Sequence, residues 1–135
     1  MKHVMKPLLY AAVVLGMSVS CKKEDRTTIV FGTVKDDLEK PIAGVEINLY
    51  GVKGAFAAQL TPLKSTKTDT KGEYSITTEI PKDYHSGDLI WTQDMKLTEQ
   101  YAPSSRLYFN GNETNDCCRV AVGQKNQYDW VLFRK

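Results

Sequence analysis

Between residues 31 and 76 the chain alternates apolar and polar side chains in short runs punctuated by Gly, Pro and Asp, a pattern that few folds can satisfy. Thr28, Val30, Gly32 and Val34 alternate with Ile29, Phe31, Thr33 and Lys35, and this β-branched, period-two run predicts a first strand. Asp36-Asp37-Leu38-Glu39-Lys40 is too polar to continue it. Pro41 cannot donate to a central ladder, so the chain turns there and re-enters at Gly44. Val45, Ile47 and Leu49 then share one side, with Glu46, Asn48 and Tyr50 on the other, as in a strand of a sheet with one buried face. Thr66-Lys67-Thr68 suits a short edge, Asp69-Thr70-Lys71-Gly72 a turn, and Tyr74 and Ile76 resume the core spacing, so this segment reads as a hairpin. Asp69 serves the turn in this reading, because a hard cation needs several convergent oxygens.

The remainder is less regular. Residues 51–63, with Gly54-Ala55-Phe56-Ala57-Ala58 and Pro62, read as a long loop or as one helical turn that lays Phe56 and Leu60 on the sheet. Residues 79–88 form a second loop. Residues 89–97 read as a strand whose phase slips near Gln93, the mark of a bulge or bend. A turn at residues 101–105 leads into Arg106-Leu107-Tyr108-Phe109, and a loop opens on Asn110-Gly111. Cys118-Val120-Val122 and Tyr128-Trp130-Leu132 read as a final pair joined by Gly123-Gln124-Lys125-Asn126. The expectation is an all-β domain of seven to eight strands.

Three motifs carry a resemblance. Phe31-Gly32-Thr33-Val34-Lys35-Asp36, Pro41-Ile42-Ala43-Gly44-Val45-Glu46-Ile47-Asn48-Leu49 and Thr68-Asp69-Thr70-Lys71-Gly72-Glu73-Tyr74-Ser75-Ile76 together resemble the carboxypeptidase regulatory-like domain over residues 29–80. The resemblance implies a Greek-key β-sandwich of the transthyretin (prealbumin) type. Enzymatic relatives of that shape use several histidines and a Tyr-Arg-Gly-Ser ending. This sequence ends Leu132-Phe133-Arg134-Lys135, so their hydrolase activity is not implied.

The N-terminal region suggests export. Lys2, His3 and Lys6 precede an apolar run over residues 7–19, shorter than the roughly 20 residues a spanning helix needs, and residues 1–20 read as a signal peptide. Ser18-Val19-Ser20-Cys21 resembles a lipobox, which implies a diacylglycerol thioether and an acylated amine on Cys21 after cleavage. The alternative is ordinary secretory cleavage with Cys21 as an unpaired thiol. Residues 21–27 then read as a lipidated, charged tether and residues 28–135 as one sandwich domain. Lys23-Glu24-Asp25 resembles the lysine-plus-acidic signal that sends some Gram-negative lipoproteins to the outer face of the outer membrane. A lipid-anchored outer-membrane protein is the expectation, with the cell surface favoured over the periplasmic face. Loss of Lys2 and Lys6 with the leader brings the 18 basic residues level with the 16 acidic ones, and no basic stripe supports a nucleic-acid partner.

Catalytic chemistry is sparse. After cleavage His85 is the sole histidine, which leaves neither a histidine metal cluster nor a nucleophilic relay to assemble, and no metal or other cofactor is expected. Cys117 and Cys118 are neighbours, so on a strand they face opposite ways, with Cys118 in phase with the core, unless they form a vicinal or intermolecular disulfide. Trp91 and Trp130 are the right size to fill the interior. The candidate ligand contacts are Tyr84, Tyr101 and Tyr108, which lie in or beside the loops of the second half, where flat rings can stack on sugars or anchor a protein interface. The sequence thus predicts a non-catalytic binding or scaffolding module, held to the membrane by lipid, with an outer-membrane protein or a glycan as partner. The alternative is a carbohydrate-binding accessory lipoprotein of an outer-membrane uptake system.

Overall fold

The computed structural model describes residues 24–135; the leader and Cys21 lie outside the described residues. The opening alternation becomes β1 (Thr27–Asp36), in which Thr28, Val30, Gly32, Val34 and Asp36 are buried and their neighbours less so. β2 (Glu46–Lys53) repeats the pattern with Ile47, Leu49 and Gly51 inward. There follow β3 (Gln59–Lys67), β4 (Glu73–Glu79), β5 (Ser86–Thr92), α1 (Met95–Gln100), β6 (Tyr101–Phe109), β7 (Asn112–Thr114), β8 (Arg119–Val120) and β9 (Lys125–Arg134). One sheet runs β4-β1-β9-β6-β7 and the other β3-β2-β5-β8. The first presents Val30, Val34, Tyr74, Ile76, Leu107, Tyr128, Trp130 and Leu132 to Ile47, Leu49, Leu89 and Val120 of the second, in a single core. Val45 and Leu97 join this cluster from outside the strands, and Trp91 packs against it partly buried.

β1 and β9 pair in parallel at the middle of the five-stranded sheet, and their ladder breaks between Phe31↔Gln127 and Val34↔Trp130. Side chains satisfy the backbone groups in the gap. The Thr33 amide donates to Asp129 Oδ1 at 2.8 Å, and the Tyr74 hydroxyl donates to the Tyr128 carbonyl at 2.6 Å. Burial pushes the Tyr74 hydroxyl pKa far up, so it stays a donor at every physiological pH. Gly32 makes this geometry possible, since a Cβ there would lie 1.8 Å from the Tyr128 oxygen.

Nine strands among the described residues exceed the seven to eight expected, and five local readings need correction. The turn expected at residues 101–105 is instead the start of β6, whose pairing with β9 is irregular between Tyr101 and Ser105. β2 runs on through Gly51 and Lys53 and pairs with β3 past a bulge at Leu49/Tyr50, so residues 51–63 form a hairpin and not a loop or helical turn. A ladder bond for each added residue outcompetes an isolated helical turn with its costly nucleus. Phe56, at the hairpin tip, and Leu60, in β3, are exposed, so neither side chain packs into the core. β3 and β4 belong to different sheets, so the Asp69 turn is a corner and not a hairpin, although Asp69 Oδ1 accepts from the Lys71 and Glu73 amides as turn chemistry requires. β5 stops at Thr92, because Asp94 caps α1 by accepting from the Leu97 amide at 2.8 Å; helix, not a bulge, explains the slipped phase. β8 and β9 also lie in different sheets, and the second hairpin is instead β6–β7, turned by Asn110 and Gly111 with φ of 50° and 85°.

Arg26 departs from the free tether expected for residues 21–27. Its side chain is 11% exposed, Nε donates to the Ile80 carbonyl at 2.7 Å, and Nη2 donates to the Pro81 and Tyr84 carbonyls. Glu24 sits 3.6 Å from the same guanidinium. A hydrogen bond to a charged group contributes roughly 1.5–3 kcal/mol, so Arg26→Ala should cost about 2 kcal/mol. Urea unfolding reads this as a lowered midpoint with unchanged slope; an unchanged midpoint would mean that the docked arginine contributes nothing to the fold.

Candidate functional site

The described surface carries several concavities, among them one on the outer face of the five-stranded sheet and one at the pole where β1 begins; another, of about 630 Å³, lies over Ile29, Phe31, Glu73, Ser75 and Lys125. The first follows from strand alternation. With Val34, Leu107 and Trp130 inward, their neighbours Thr33, Lys35, Arg106, Tyr108, Asp129 and Val131 point outward and line a groove of about 560 Å³. Register pairs Tyr108 with Asp129 and Arg106 with Val131. Asp129 is held from three sides: Oδ1 accepts from the amide and hydroxyl of Thr33, and Oδ2 accepts from Gln127 Nε2 at 3.0 Å. Arg106 lies 3.3 Å from Glu113 and stacks over Phe133 at 5.6 Å.

The β1–β2 turn closes one end of the groove. Buried Asp36 accepts from the Leu38 and Lys40 amides, and Asp37 meets the Arg134 guanidinium at 3.0 Å, a bond that lowers the Asp37 pKa. The groove therefore mixes Lys35 and Arg106 with Asp37, Glu39 and Asp129 around one tyrosine ring. Such a surface offers donors and acceptors at fixed spacing without a field of one sign, and suits a polar ligand of low net charge.

The polar cleft holds about 690 Å³ among Arg26, His85, Ser86, Phe109, Cys117 and Arg119. Arg26 is committed to backbone carbonyls there. Ser86 Oγ lies 3.1 Å from His85 Nδ1, and His85 Nε2 lies 3.4 Å from the Gly54 carbonyl, so the imidazole bridges a neighbouring hydroxyl and a main-chain acceptor. Cys117 and Cys118 pair as a vicinal disulfide, with Cys118 buried in the core and Cys117 exposed at the cleft. Nearby on β5, partial burial raises the Asp88 pKa, and burial followed by the Asp88 charge raises that of Tyr128, whose hydroxyl donates to the Arg119 carbonyl. Among the described residues no group of three or more His, Cys, Asp or Glu is placed to hold a metal ion.

The three candidate tyrosines do not share a cavity. Tyr84 covers Gly51, where a Cβ would come 2.7 Å from the ring, and carries the Lys53 ammonium 5.6 Å above it. Tyr101 ends α1, its amide donating to the Leu97 carbonyl, and packs partly buried against the core beside Pro41 and Gly44; burial raises its pKa. Tyr108 alone lies in the sheet groove. The groove residues absent from the sequence-based candidates include Thr33, Lys35, Arg106, Gln127 and Asp129. Their signal was the outward half of the alternation, which becomes a surface only once β1, β9 and β6 are known to be adjacent.

No family model matches the chain, and no curated protein matches it. Among solved structures, a 9R-lipoxygenase from Cyanothece PCC8801 is similar over 84% of this chain and 18% of its own, with a TM-score of 0.41 and 11% sequence identity. The chain thus spans less than a fifth of that protein, and a likeness this remote carries no argument about function.

Proposed function

We propose that this chain is a lipid-anchored cell-envelope protein whose β-sandwich acts as a non-catalytic binding or scaffolding module. The observation that carries the reading is the groove on the five-stranded sheet. Its residues stand on paired strands and Asp129 is fixed by three hydrogen bonds, so the surface is organised before any ligand arrives and little ordering cost attaches to binding. The proposal retains the transthyretin-like Greek-key assignment and the kinship with carboxypeptidase regulatory-like domains. The three motifs that suggest them supply β1, β2 and the Asp69 corner. Anchoring at Cys21, the outer membrane and the cell-surface side rest on the leader and on Lys23-Glu24-Asp25.

A second reading, a carbohydrate-binding accessory lipoprotein of an outer-membrane uptake system, is favoured by the Tyr108 ring standing opposite Asp129 and near Gln127, a stacking plane beside hydrogen-bonding groups. The test runs a glycan array and an outer-membrane pull-down in parallel with wild type and Tyr108→Ala. An aromatic contact contributes about 1 kcal/mol or more, so the variant should bind about tenfold more weakly with its melting temperature kept. A glycan signal selects the second reading and a protein captured in the pull-down selects the first. Unchanged binding by Tyr108→Ala removes the groove from both.

A further inference from the structure

We propose that the tip of the β2–β3 hairpin, residues 54–58, sits in the interfacial layer of the bilayer that carries the lipid on Cys21, with Phe56 as its apolar anchor. This rests on the lipoprotein reading. The tip, Gly54-Ala55-Phe56-Ala57-Ala58, is continued by Gln59 and Leu60, the first seven of ten consecutive residues without charge (54–63) in a chain that is 25% charged. All seven are exposed, and Phe56 at 103% is the most exposed large apolar side chain described. A lone exposed ring is ordinary on a monomer surface, but this one tops a contiguous exposed run of small and apolar residues, and such a patch marks a place that meets another apolar phase.

Position identifies that phase. Arg26 holds the start of β1 to the Ile80, Pro81 and Tyr84 carbonyls. The next residue, His85, donates its amide to the Val52 carbonyl and places Nε2 beside the Gly54 carbonyl, at the base of the tip. The N-terminal strand and the apolar tip therefore leave the sandwich at the same pole. Cys21 precedes Glu24 by only three residues, and an extended chain spans at most about 3.3–3.6 Å per residue, so the acylated residue lies within roughly 10 Å of Glu24. That reach is comparable to the 5–10 Å depth at which interfacial segments bury their apolar faces. With Arg26 docked, the tether is too short to hold this pole far from the headgroups.

The surroundings of the tip agree in chemistry. Tyr84 and Lys53 lie at its base, the ammonium 5.6 Å over the ring, a residue pair typical of the boundary between apolar and aqueous layers. At the opposite end of β1, exposed Leu38 stands instead among Asp37, Glu39 and Lys40. Both are loop positions with an exposed apolar side chain, but only Phe56 lies in an uncharged segment beside the anchored end.

The experiment uses the full chain isolated from membranes and placed in liposomes of phosphatidylethanolamine and phosphatidylglycerol with brominated acyl chains. Phe56→Trp and Leu38→Trp are compared with wild type, whose Trp91 and Trp130 give the background. At position 56 the added emission should shift to the blue and be quenched by the brominated lipid; at position 38 it should do neither. Mass analysis of the N-terminal peptide reads acylation of Cys21 independently. Acylated protein with an unquenched Trp at position 56 overturns the membrane contact. Quenching at position 56 with Cys21 unmodified supports the contact and defeats the anchor reading instead. A blue shift that needs no lipid and grows with protein concentration assigns the tip to a second copy of the chain and overturns the proposal.

Discussion

Gly32→Ala is expected to destabilise the domain by about 3 kcal/mol or more, a large part of the 5–15 kcal/mol that small domains possess. A Cβ at position 32 would lie 1.8 Å from the Tyr128 carbonyl oxygen and 2.7 Å from its carbon, both main-chain atoms of the neighbouring strand. Neither can turn aside as a side chain would, so β1 and β9 must separate where their ladder is already interrupted. Separation also strains the Tyr74 hydroxyl bond to the same oxygen and the Thr33–Asp129 bonds. Gly44→Ala is the matched control: φ there is +81° and nothing lies within 4 Å of the added Cβ, so only left-handed strain of roughly 1–2 kcal/mol applies. Thermal unfolding of both variants is the check. Equal and small shifts would mean that the β1–β9 seam is looser than its geometry.

Cys21→Ser should abolish incorporation of labelled palmitate and remove the protein from the outer-membrane fraction. One acyl chain binds a bilayer marginally and reversibly, whereas two or more anchor stably, so on the proposed anchoring the whole attachment depends on this residue. The charged start, the short apolar run and the small residues of Ser18-Val19-Ser20 before Cys21 motivate the expectation. Equal labelling of wild type and variant would end the lipoprotein reading and leave the sandwich as a secreted domain.

The buried half of the alternation was legible in the sequence. Val30, Val34, Val45, Ile47, Leu49, Tyr74 and Ile76 occupy one core because a period of two fixes which side chains share a face. Sheet membership was not legible. Neither the Asp69 turn nor the Gly123-Gln124-Lys125-Asn126 turn reveals whether the next strand returns beside its predecessor or crosses to the opposite sheet, since hydrogen bonding within the turn is local in both cases. The same gap hid the groove. Lys35, Tyr108 and Asp129 are far apart in the chain, and only the β1-β9-β6 order brings them together. α1 left a readable trace in Asp94 followed by Met95-Lys96-Leu97, a cap before good helix formers, but an apolar run from Leu89 obscured it. Arg26 resembled its charged neighbours, and only the carbonyls converging from residues 80–84 distinguish it.

On the proposed function, the outer face of the five-stranded sheet is the binding face of an anchored module. Hydroxyl-radical footprinting of the full protein in a membrane preparation, compared with the same protein released in detergent, checks this. Tyr108 and Phe133, which stand on that face, should be oxidised less in the membrane sample, while Tyr101 at the end of α1 should be oxidised equally in both. Equal oxidation of Tyr108 and Phe133 in the two samples, with protection confined to residues 69–72 at the Asp69 corner, would contradict it.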